Sequence, residues 1–433
     1  MQLVMVLYYI LVFSWILPSG SVLGVPVKTV LFLLTAIAFV ICIIAKRMPF
    51  KVSLGIKILI PVILLLLIWT VISYLNGFDE TIKNELKSFV SLLSVIVITD
   101  LLYTNGFFKD RLNQLKVLIY ASVILFVVVR VAAEILYCIG VMPEAYAFFI
   151  CNDVLDSELL TLSMDLGPFN YCRFTLPNDQ IPLILLAFDM VSRKRKIPTR
   201  IVMIVLSAAY VMIVYSRIII VQFALVLLLS FIIANIRYKK TTFIKVLWII
   251  VVVIVAGACV LVFVGGATSN GMLSNIRQMI VSRFTSTADA SDSIRTDQEK
   301  YLTEGIKESP LIGHGLGSYV LEYTRSDIAK ETYELQYLSF VFQFGIVGFI
   351  LTIIGMIVSF FTMVLKASTN KIVVVATLFC FAMWAVKPFF NPQFLTSTSG
   401  MVIVMIYLCA LIMSKEKDIE NWNMKKEKEK LNG

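Results

Sequence analysis

Arginine side chains stand at three places where a long apolar run begins or ends. Arg173 precedes FTLPNDQIPLILLAF, Arg217 lies in the turn YSRIIIVQF, and Arg295 lies in a long polar insert. A guanidinium group is always charged and presents a fixed fork of donors that matches phosphate oxygens. If the three groups reach one depth at a membrane surface, they predict a diphosphate-binding site. The alternative for Arg217 is a side chain that only extends to the membrane interface.

Two groups later in the chain could transfer a proton. His314 is the only histidine and lies in GHGLGSY, and Glu334 stands where the polar insert returns to the apolar run LQYLSFVFQFGIVGF. Either group could accept a proton from a sugar hydroxyl at the membrane boundary. The structural alternatives are a histidine that orients the loop backbone and a carboxylate that pairs with an arginine. The glycines around His314 allow a tight turn whose backbone N–H groups could face a phosphate.

Other charged residues are interpreted as structural. Arg130 and Glu134 lie four residues apart in one apolar run, so they share a helix face. Ionisable groups inside a membrane are candidates for function, but these two have opposite charges, and we interpret them as a mutually neutralising pair. Arg277 and Arg283, in the polar insert, are interpreted as solvated loop charges.

The composition is that of a helical membrane protein. Of the 433 residues, 59% are hydrophobic and 15% are charged, and the mean hydropathy is +0.90. Soluble domains carry about a quarter charged residues. Because each span must pair its backbone groups internally, we predict an all-α, polytopic membrane fold. The net charge of +10 is concentrated in short linkers, which indicates the positive-inside pattern and excludes a nucleic-acid-binding class.

Apolar runs of membrane-spanning length predict about twelve transmembrane helices. Their approximate positions are 2–17, 25–45, 56–75, 88–105, 116–139, 176–192, 200–216, 217–236, 242–265, 335–365, 371–388 and 398–414. Basic linkers alternate with poorly basic ones, which predicts that both termini are cytoplasmic. The two long loops, 142–177 and 266–334, then lie outside, the second between helices 9 and 10 and over the active site. The whole chain, 1–433, is predicted to form one transmembrane domain.

The polar insert and the cysteines lead to two further predictions. Thr296–Glu308 has a helix-forming composition, and Ser309–Pro310 should end that helix. Cys151 and Cys172 fall in the first exterior loop and could form a disulfide in an oxidising compartment. The chain contains no cysteine spacing typical of a metal site, no phosphate-binding P-loop and no Ser-His-Asp arrangement. Energy for a reaction would therefore come from the substrate or from an ion gradient.

The order of these motifs carries a resemblance. An arginine near P-N opens a span, S-R follows at an exterior turn, and a large late loop holds a further arginine. SPLIGHGLGS comes next, and the re-entry ends in GIVG. This order resembles the bacterial O-antigen polymerase (Wzy-like) and O-antigen ligase superfamily, over roughly Arg173 to Phe349.

The resemblance implies a metal-independent membrane glycosyltransferase without a cofactor, in the bacterial inner membrane. The implied partners are undecaprenyl-diphosphate-linked glycans and a chain-length regulator. Periplasmic arginines would hold the diphosphate leaving group, and by motif these are Arg217 and Arg295, with Arg173 as a third. Many ligases have a His-Asn pair where this chain has Glu334–Leu335. Glu334 is therefore the positional candidate for the catalytic base, and His314 is the alternative.

We therefore expect a polymerase for O-antigen, capsule or another exopolysaccharide. A hydroxyl of an incoming lipid-linked repeat unit would attack the anomeric carbon of the growing chain, and arginines would stabilise the departing diphosphate. One alternative is an O-antigen ligase that transfers polymer to the lipid A core. Another is a flippase for lipid-linked oligosaccharides. A transporter would be expected to have symmetric halves and broken midplane helices, and neither is evident in the sequence.

Overall fold

The structure is a computed structural model that falls into two compact units. It describes residues 1–17, 26–141, 143, 145–146, 160–165, 170–176, 178–192, 197–214, 216–233, 286–324, 329–389 and 394–431. The first unit comprises Met1–Leu17, Val27–Ser122 and Arg295–Gly433, and the second lies mainly within Val123–Ile294.

The described part of the chain is mainly helical, and the second unit holds the end of α5 through the start of α9. In chain order, the elements are α1 (Gln2–Ile16), α2 (Val27–Ala45), α3 (Leu54–Leu75), α4 (Asp79–Thr104), α5 (Leu112–Cys138), β1 (Leu160–Asp165), β2 (Asn170–Thr175), α6 (Ile181–Val191), α7 (Ile197–Val214), α8 (Arg217–Ile233), α9 (Ser286–Glu308), α10 (Gln336–Phe349), a π-helical turn (Ile350–Ile354), α11 (Gly355–Lys366), α12 (Lys371–Val386), a 3-10 turn (Lys387–Phe389) and α13 (Ser397–Leu431). The helix predicted to end before Ser309–Pro310 does end at Glu308.

Seven helical segments in the described part of the chain are long and apolar enough to cross a membrane, and the all-α polytopic fold is confirmed. They are Val27–Ala45, Leu54–Leu75, Asp79–Thr104, Leu112–Cys138, Gln336–Lys366, Lys371–Phe389 and Thr398–Lys415. Shorter apolar helices stand at four other predicted spans, and the predicted span 242–265 lies outside the described residues. Burial separates central from peripheral helices, because 83% of the apolar part of α13 is buried and only 22% of α2.

A β-hairpin in the first long loop is an element that the sequence analysis did not predict. Strands β1 and β2 pair antiparallel, with Leu160 opposite Thr175 and Asp165 opposite Asn170. The β2 sequence NYCRFT is rich in aromatic and β-branched residues, which favour extended structure, but it is too short to stand out beside the apolar runs. Cys151 lies outside the described residues, so its disulfide with Cys172 stays a prediction.

Helix α10 is interrupted in the middle of the apolar run. Gly345 has φ 64° and ψ 178°, so the helical hydrogen-bond ladder cannot continue through it. The loop Pro310–Ser318, which we call the glycine loop, forms hydrogen bonds with the backbone groups that the interruption leaves without helical partners. The N–H groups of Ile346 and Val347 donate to the carbonyl oxygens of Pro310 and Leu311, at 2.9 and 3.1 Å.

The other side of the break is paired in the same way. The N–H groups of His314 and Gly315 donate to the carbonyl oxygens of Phe342 and Gln343, at 3.1 and 2.8 Å. The indole N–H of Trp69 on α3 donates to Ile312 O at 2.7 Å and to Phe344 O at 3.0 Å. An unpaired backbone group in lipid costs several kcal/mol. The hydrogen bonds that join the glycine loop, α10 and Trp69, which we call the interlock, avoid this cost.

The interlock requires glycine at two facing positions. A Cβ on Gly313 would lie 2.3 Å from the backbone nitrogen of Gly345, and a Cβ on Gly345 would lie 2.3 Å from the carbonyl carbon of Leu311. Both contacts are with backbone, which cannot move aside as a flexible side chain can. The two apolar motifs LIGHGLG and QFGIVG are therefore two halves of one packed structure.

The linkers of the first unit gather at two opposite ends. At one end, Lys51 N donates to Asn105 Oδ1 at 2.9 Å, and Lys366 Nζ lies 3.4 Å from Thr104 Oγ1. At the opposite end, where α3 ends and α4 begins, Asn76 Nδ2 donates to His314 O at 2.9 Å. Thr81 Oγ1 donates to the carbonyl oxygen of Gly317 in the glycine loop. This separation is the one that alternating charge predicts. Which end faces the cytoplasm stays a prediction.

Replacing Gly345 by alanine should destabilise the protein more than replacing Gly77 by alanine. Both glycines have positive φ, 64° and 82°, but nothing lies within 4 Å of a Cβ at Gly77. The left-handed backbone alone costs alanine about 1–2 kcal/mol. We expect the melting temperature of the purified protein in detergent to fall several degrees further for Gly345→Ala, because overlap adds to that cost. Equal decreases would contradict the interlock.

Candidate functional site

An ion pair joins two of the residues that the sequence analysis selected. Arg295 Nε on α9 lies 3.1 Å from Glu334 Oε2, just before α10, and the side chains are 23% and 14% exposed. Both groups therefore remain within reach of solvent. The structure brings a candidate base and a candidate diphosphate-binding cation into direct contact at the place where the polar insert meets a membrane helix.

Gln298, a buried residue of α9, fixes the backbone at Glu334. Gln298 Oε1 accepts hydrogen bonds from the backbone N–H groups of Glu334, at 2.9 Å, and Leu335, at 3.3 Å. These N–H groups precede the first turn of α10, where a helix has no internal partners to offer. Gln298 is fully buried, so α9 fixes the backbone position of Glu334 as well as its charge partner.

His314 is held by contacts on two sides. Its Nε2 lies 2.9 Å from the carbonyl oxygen of Gly305 on α9, and its ring stacks on Phe342 with centroids 4.5 Å apart. A carbonyl oxygen can only accept, so Nε2 carries a hydrogen in this arrangement. Gly305 allows the Phe342 ring to approach, because a Cβ there would lie 2.5 Å from Phe342 Cε2. The contacts give His314 a positioning role between α9 and α10.

The backbone of the glycine loop is not open to a ligand, and the prediction that it could bind phosphate is wrong. Its N–H groups donate inside the protein: Gly313 N to Ser309 O, Leu316 N to Trp69 O, and Gly317 N to the side-chain oxygen of Gln343 at 3.0 Å. The physical reason is that acceptors on α10, on α3 and within the loop already bind these N–H groups. Phosphate binding at this site would therefore depend on side chains.

The sequence analysis did not predict a polar cluster that contacts the glycine loop through Gln343. Gln343 is fully buried in α10 and also lies near Ser339 Oγ, at 3.4 Å, and the carboxyl of Glu85 on α4. Glu331, 6% exposed, interacts electrostatically with Glu85. A glutamine inside the apolar run FVFQFG was the available signal, since polar side chains in membrane segments usually bond to another element.

Burial raises the pKa of the Glu331 carboxyl above its ordinary value, while hydrogen bonds with its own backbone N–H and the Asn84 side chain lower it. Glu80 on the same face of the structure pairs with Lys330 at 3.5 Å. Burial therefore makes the Glu331 carboxyl easier to protonate than an exposed one.

The effect of Glu331 on stability should depend on pH. A raised pKa in the folded state stabilises the fold below the pKa of the unfolded chain, about 4.3, and this contribution is lost as the pH rises through the folded value. We expect Glu331→Gln to show a smaller decrease in melting temperature between pH 4 and pH 7 than the unchanged protein. The exposed Glu322, changed to glutamine, is the matched control. A decrease of the same size in the Glu331 variant would exclude this assignment.

In the second unit, Arg217 opens α8 and is half-buried. Helix α7 ends at Val214, so the turn between the two helices is as short as the sequence predicted. Arg173 lies on β2 opposite Leu162, and Arg277 and Arg283 lie outside the described residues. The convergence of Arg173 and Arg217 with Arg295 stays a prediction.

A buried polar cluster connects the helices next to Arg217. Arg130 Nη1 lies 2.5 Å from Asp179 Oδ1 and 2.7 Å from the hydroxyl of Tyr210, which donates to the same carboxylate at 2.6 Å. Gln180 Nε2 donates to Gln222 Oε1 on α8 at 3.2 Å. Asp179 and Gln180 belong to the PNDQ run, in which the sequence analysis assigned neither residue a role. The pairing of Arg130 with Glu134 stays a prediction.

Part of the chain matches a known protein family. Residues 202–353 match a family model described as O-antigen ligase. Over that segment the chain is similar to this family, which supports a relationship with the O-antigen ligase and polymerase superfamily. The matched segment contains Arg217, Arg295, His314 and Glu334 and ends within the π-helical turn, whereas Arg173 precedes it. No curated protein matches the chain.

Among the described residues, no three His, Cys, Asp or Glu side chains lie together in a group that could hold a metal ion. The described site offers a guanidinium group beside a carboxylate. Such a site can bind an anion and accept a proton, which are the two tasks that transfer of a sugar from a diphosphate requires.

Proposed function

We propose that this protein polymerises polysaccharide repeat units carried on undecaprenyl diphosphate, at the periplasmic face of the bacterial inner membrane. The observation that carries the proposal is the Arg295–Glu334 contact, 3.1 Å long, inside the segment that matches the O-antigen ligase family. The membrane helices supply a bilayer-embedded site suited to a lipid-linked donor. Both termini then lie in the cytoplasm.

The reaction divides into leaving-group stabilisation and proton removal. Arg295, together with Arg217 and Arg173, binds the diphosphate of the growing chain. Negative charge on that diphosphate increases as the bond to the anomeric carbon breaks, so guanidinium groups stabilise the transition state more than the bound substrate. Undecaprenyl diphosphate leaves with the bonding electrons. No nucleotide or metal is assigned a step.

Glu334 is the proposed base. A hydroxyl of the incoming repeat unit attacks the anomeric carbon, and its proton passes to the Glu334 carboxylate. Because Glu334 touches Arg295, a diphosphate bound to this guanidinium would hold the anomeric carbon close to the base. His314 is the alternative base: its Nε2–H donates to Gly305 O, so Nδ1 would be the nitrogen that accepts the proton.

Ligation is the second candidate, because the matching family model is described as O-antigen ligase. The two reactions share the donor and the leaving group and differ in the acceptor, which is a lipid-linked repeat unit for a polymerase and the lipid A core for a ligase. Purified protein in liposomes with lipid-linked repeat units alone should produce a ladder of polymers on a gel. Product only when a lipid A core is added would favour ligation and refute the polymerase proposal.

Methionine replacements of the ion pair should separate catalysis from stability. Arg295→Met and Glu334→Met should each reduce polymer formation by at least about 100-fold, since each removes one chemical role. The double variant should remain inactive, while its melting temperature recovers relative to the single variants, because each single variant removes one side of the 3.1 Å contact and leaves the other charge in place.

The matched control is Lys300→Met on the exposed surface of the same helix, which should leave the gel ladder unchanged. Polymer formation by the double variant would show that the pair only stabilises the fold. Full activity of either single variant would remove that residue from the mechanism.

Two replacements of His314 should distinguish a base from a positioning residue. In His314→Gln the amide N–H can still donate to Gly305 O, so polymer formation should stay within about tenfold of the original and keep its pH profile. His314→Leu cannot donate and should lower the melting temperature. Loss of about 100-fold or more in both variants, at unchanged melting temperature, would identify His314 as the base in place of Glu334.

A further inference from the structure

A cavity of about 480 Å³ opens in the first unit, and its lining includes neither Arg295 nor Glu334. It lies where α4 and α11 end, α5 begins and α13 passes. The segments that join α4 to α5 and α11 to α12 carry basic residues, so the charge pattern predicts that they lie at the cytoplasmic end, opposite the glycine loop.

Three lysines line this cavity: Lys109, Lys366 and Lys415. Lys366 Nζ reaches Thr104 Oγ1 at 3.4 Å and lies over the Tyr103 ring at 5.7 Å, and Lys415 Nζ donates to the carbonyl oxygen of Lys109. The other lining residues include hydroxyl groups of Thr104 and Thr369, and the described part of the lining contains no acidic side chain. The lining therefore combines cations with neutral hydrogen-bond donors.

The surrounding helix ends do not neutralise these lysines. The carboxyl ends of α4 and α11 each contribute about half a negative charge, and the amino end of α5 contributes about half a positive charge. The carboxyl of Asp100 on α4 interacts electrostatically with Lys366. The three lysines then still leave an excess of more than about one positive charge around one cavity, which favours an anion such as a phosphate group.

We propose that this cavity binds the phosphate of an anionic phospholipid headgroup from the cytoplasmic leaflet. Basic cavities between membrane helices at that face recognise such headgroups. Helices α5 and α11 also expose apolar side chains farther into the membrane, with Val117 69% exposed and Val358 45% exposed. Acyl chains attached to the bound phosphate can lie against such surfaces, which a soluble phosphate cannot use. The proposal does not rest on the polymerase assignment.

Lipid titration of the delipidated full-length protein tests the site. Phosphatidylglycerol binding, followed by native mass spectrometry, should weaken at least about tenfold when Lys109, Lys366 and Lys415 are all changed to glutamine. The matched control changes Lys46, Lys51 and Lys371, which are exposed and lie outside the cavity lining. This triple variant loses the same charge and should weaken binding less than about threefold.

Three results would overturn the proposal. Equal weakening in both triple variants would show a general surface-charge effect. Phosphatidylcholine binding as tightly as phosphatidylglycerol would show that the anionic charge is not recognised. Displacement of the lipid by inorganic phosphate at about 10 mM would show a site for a soluble anion.

A measurement on the unchanged protein guards against variants that fail to fold. Phosphatidylglycerol with a photoreactive group near its headgroup should label peptides that contain Lys109, Lys366 or Lys415. Labelling confined to peptides away from the cavity would also overturn the proposal.

Discussion

The first unit depends on one constraint, which is that a helix broken inside the membrane must find new partners for its backbone. Gly345 interrupts α10, and the glycine loop and Trp69 pair the groups that the interruption releases. Because a membrane interior offers no water to replace these bonds, the loop cannot leave without a large cost. The end of the polar insert is therefore anchored to the membrane helices, although it is polar in sequence.

The candidate site follows from this anchoring. Helix α9 packs on the loop and on α10 through Gly305 and Gln298, and the same helix carries Arg295. A guanidinium and a carboxylate on separate segments thus meet at a fixed spacing. Preorganised charges of this kind need no rearrangement when the reaction begins, which is where electrostatic catalysis gains most.

Much of the fold could be predicted from the sequence, because apolar runs report membrane helices directly. The individual residues Arg295, His314 and Glu334 could also be selected, from residue type and motif order. Their partners could not, since Gln298, Gly305 and Gln343 matter only through contacts formed in three dimensions. The open backbone donors predicted for the glycine loop were wrong for the same reason. The β1–β2 hairpin was missed because strands of six residues are weak signals beside long apolar runs.

The position of Trp69 constrains how the protein is made. Its indole on α3 bonds to both the glycine loop and α10, which are separated from it by more than 240 residues. During biosynthesis α3 enters the bilayer long before its partners leave the ribosome. The two hydrogen bonds of Trp69 can therefore form only after Ile312 and Phe344 have been synthesised.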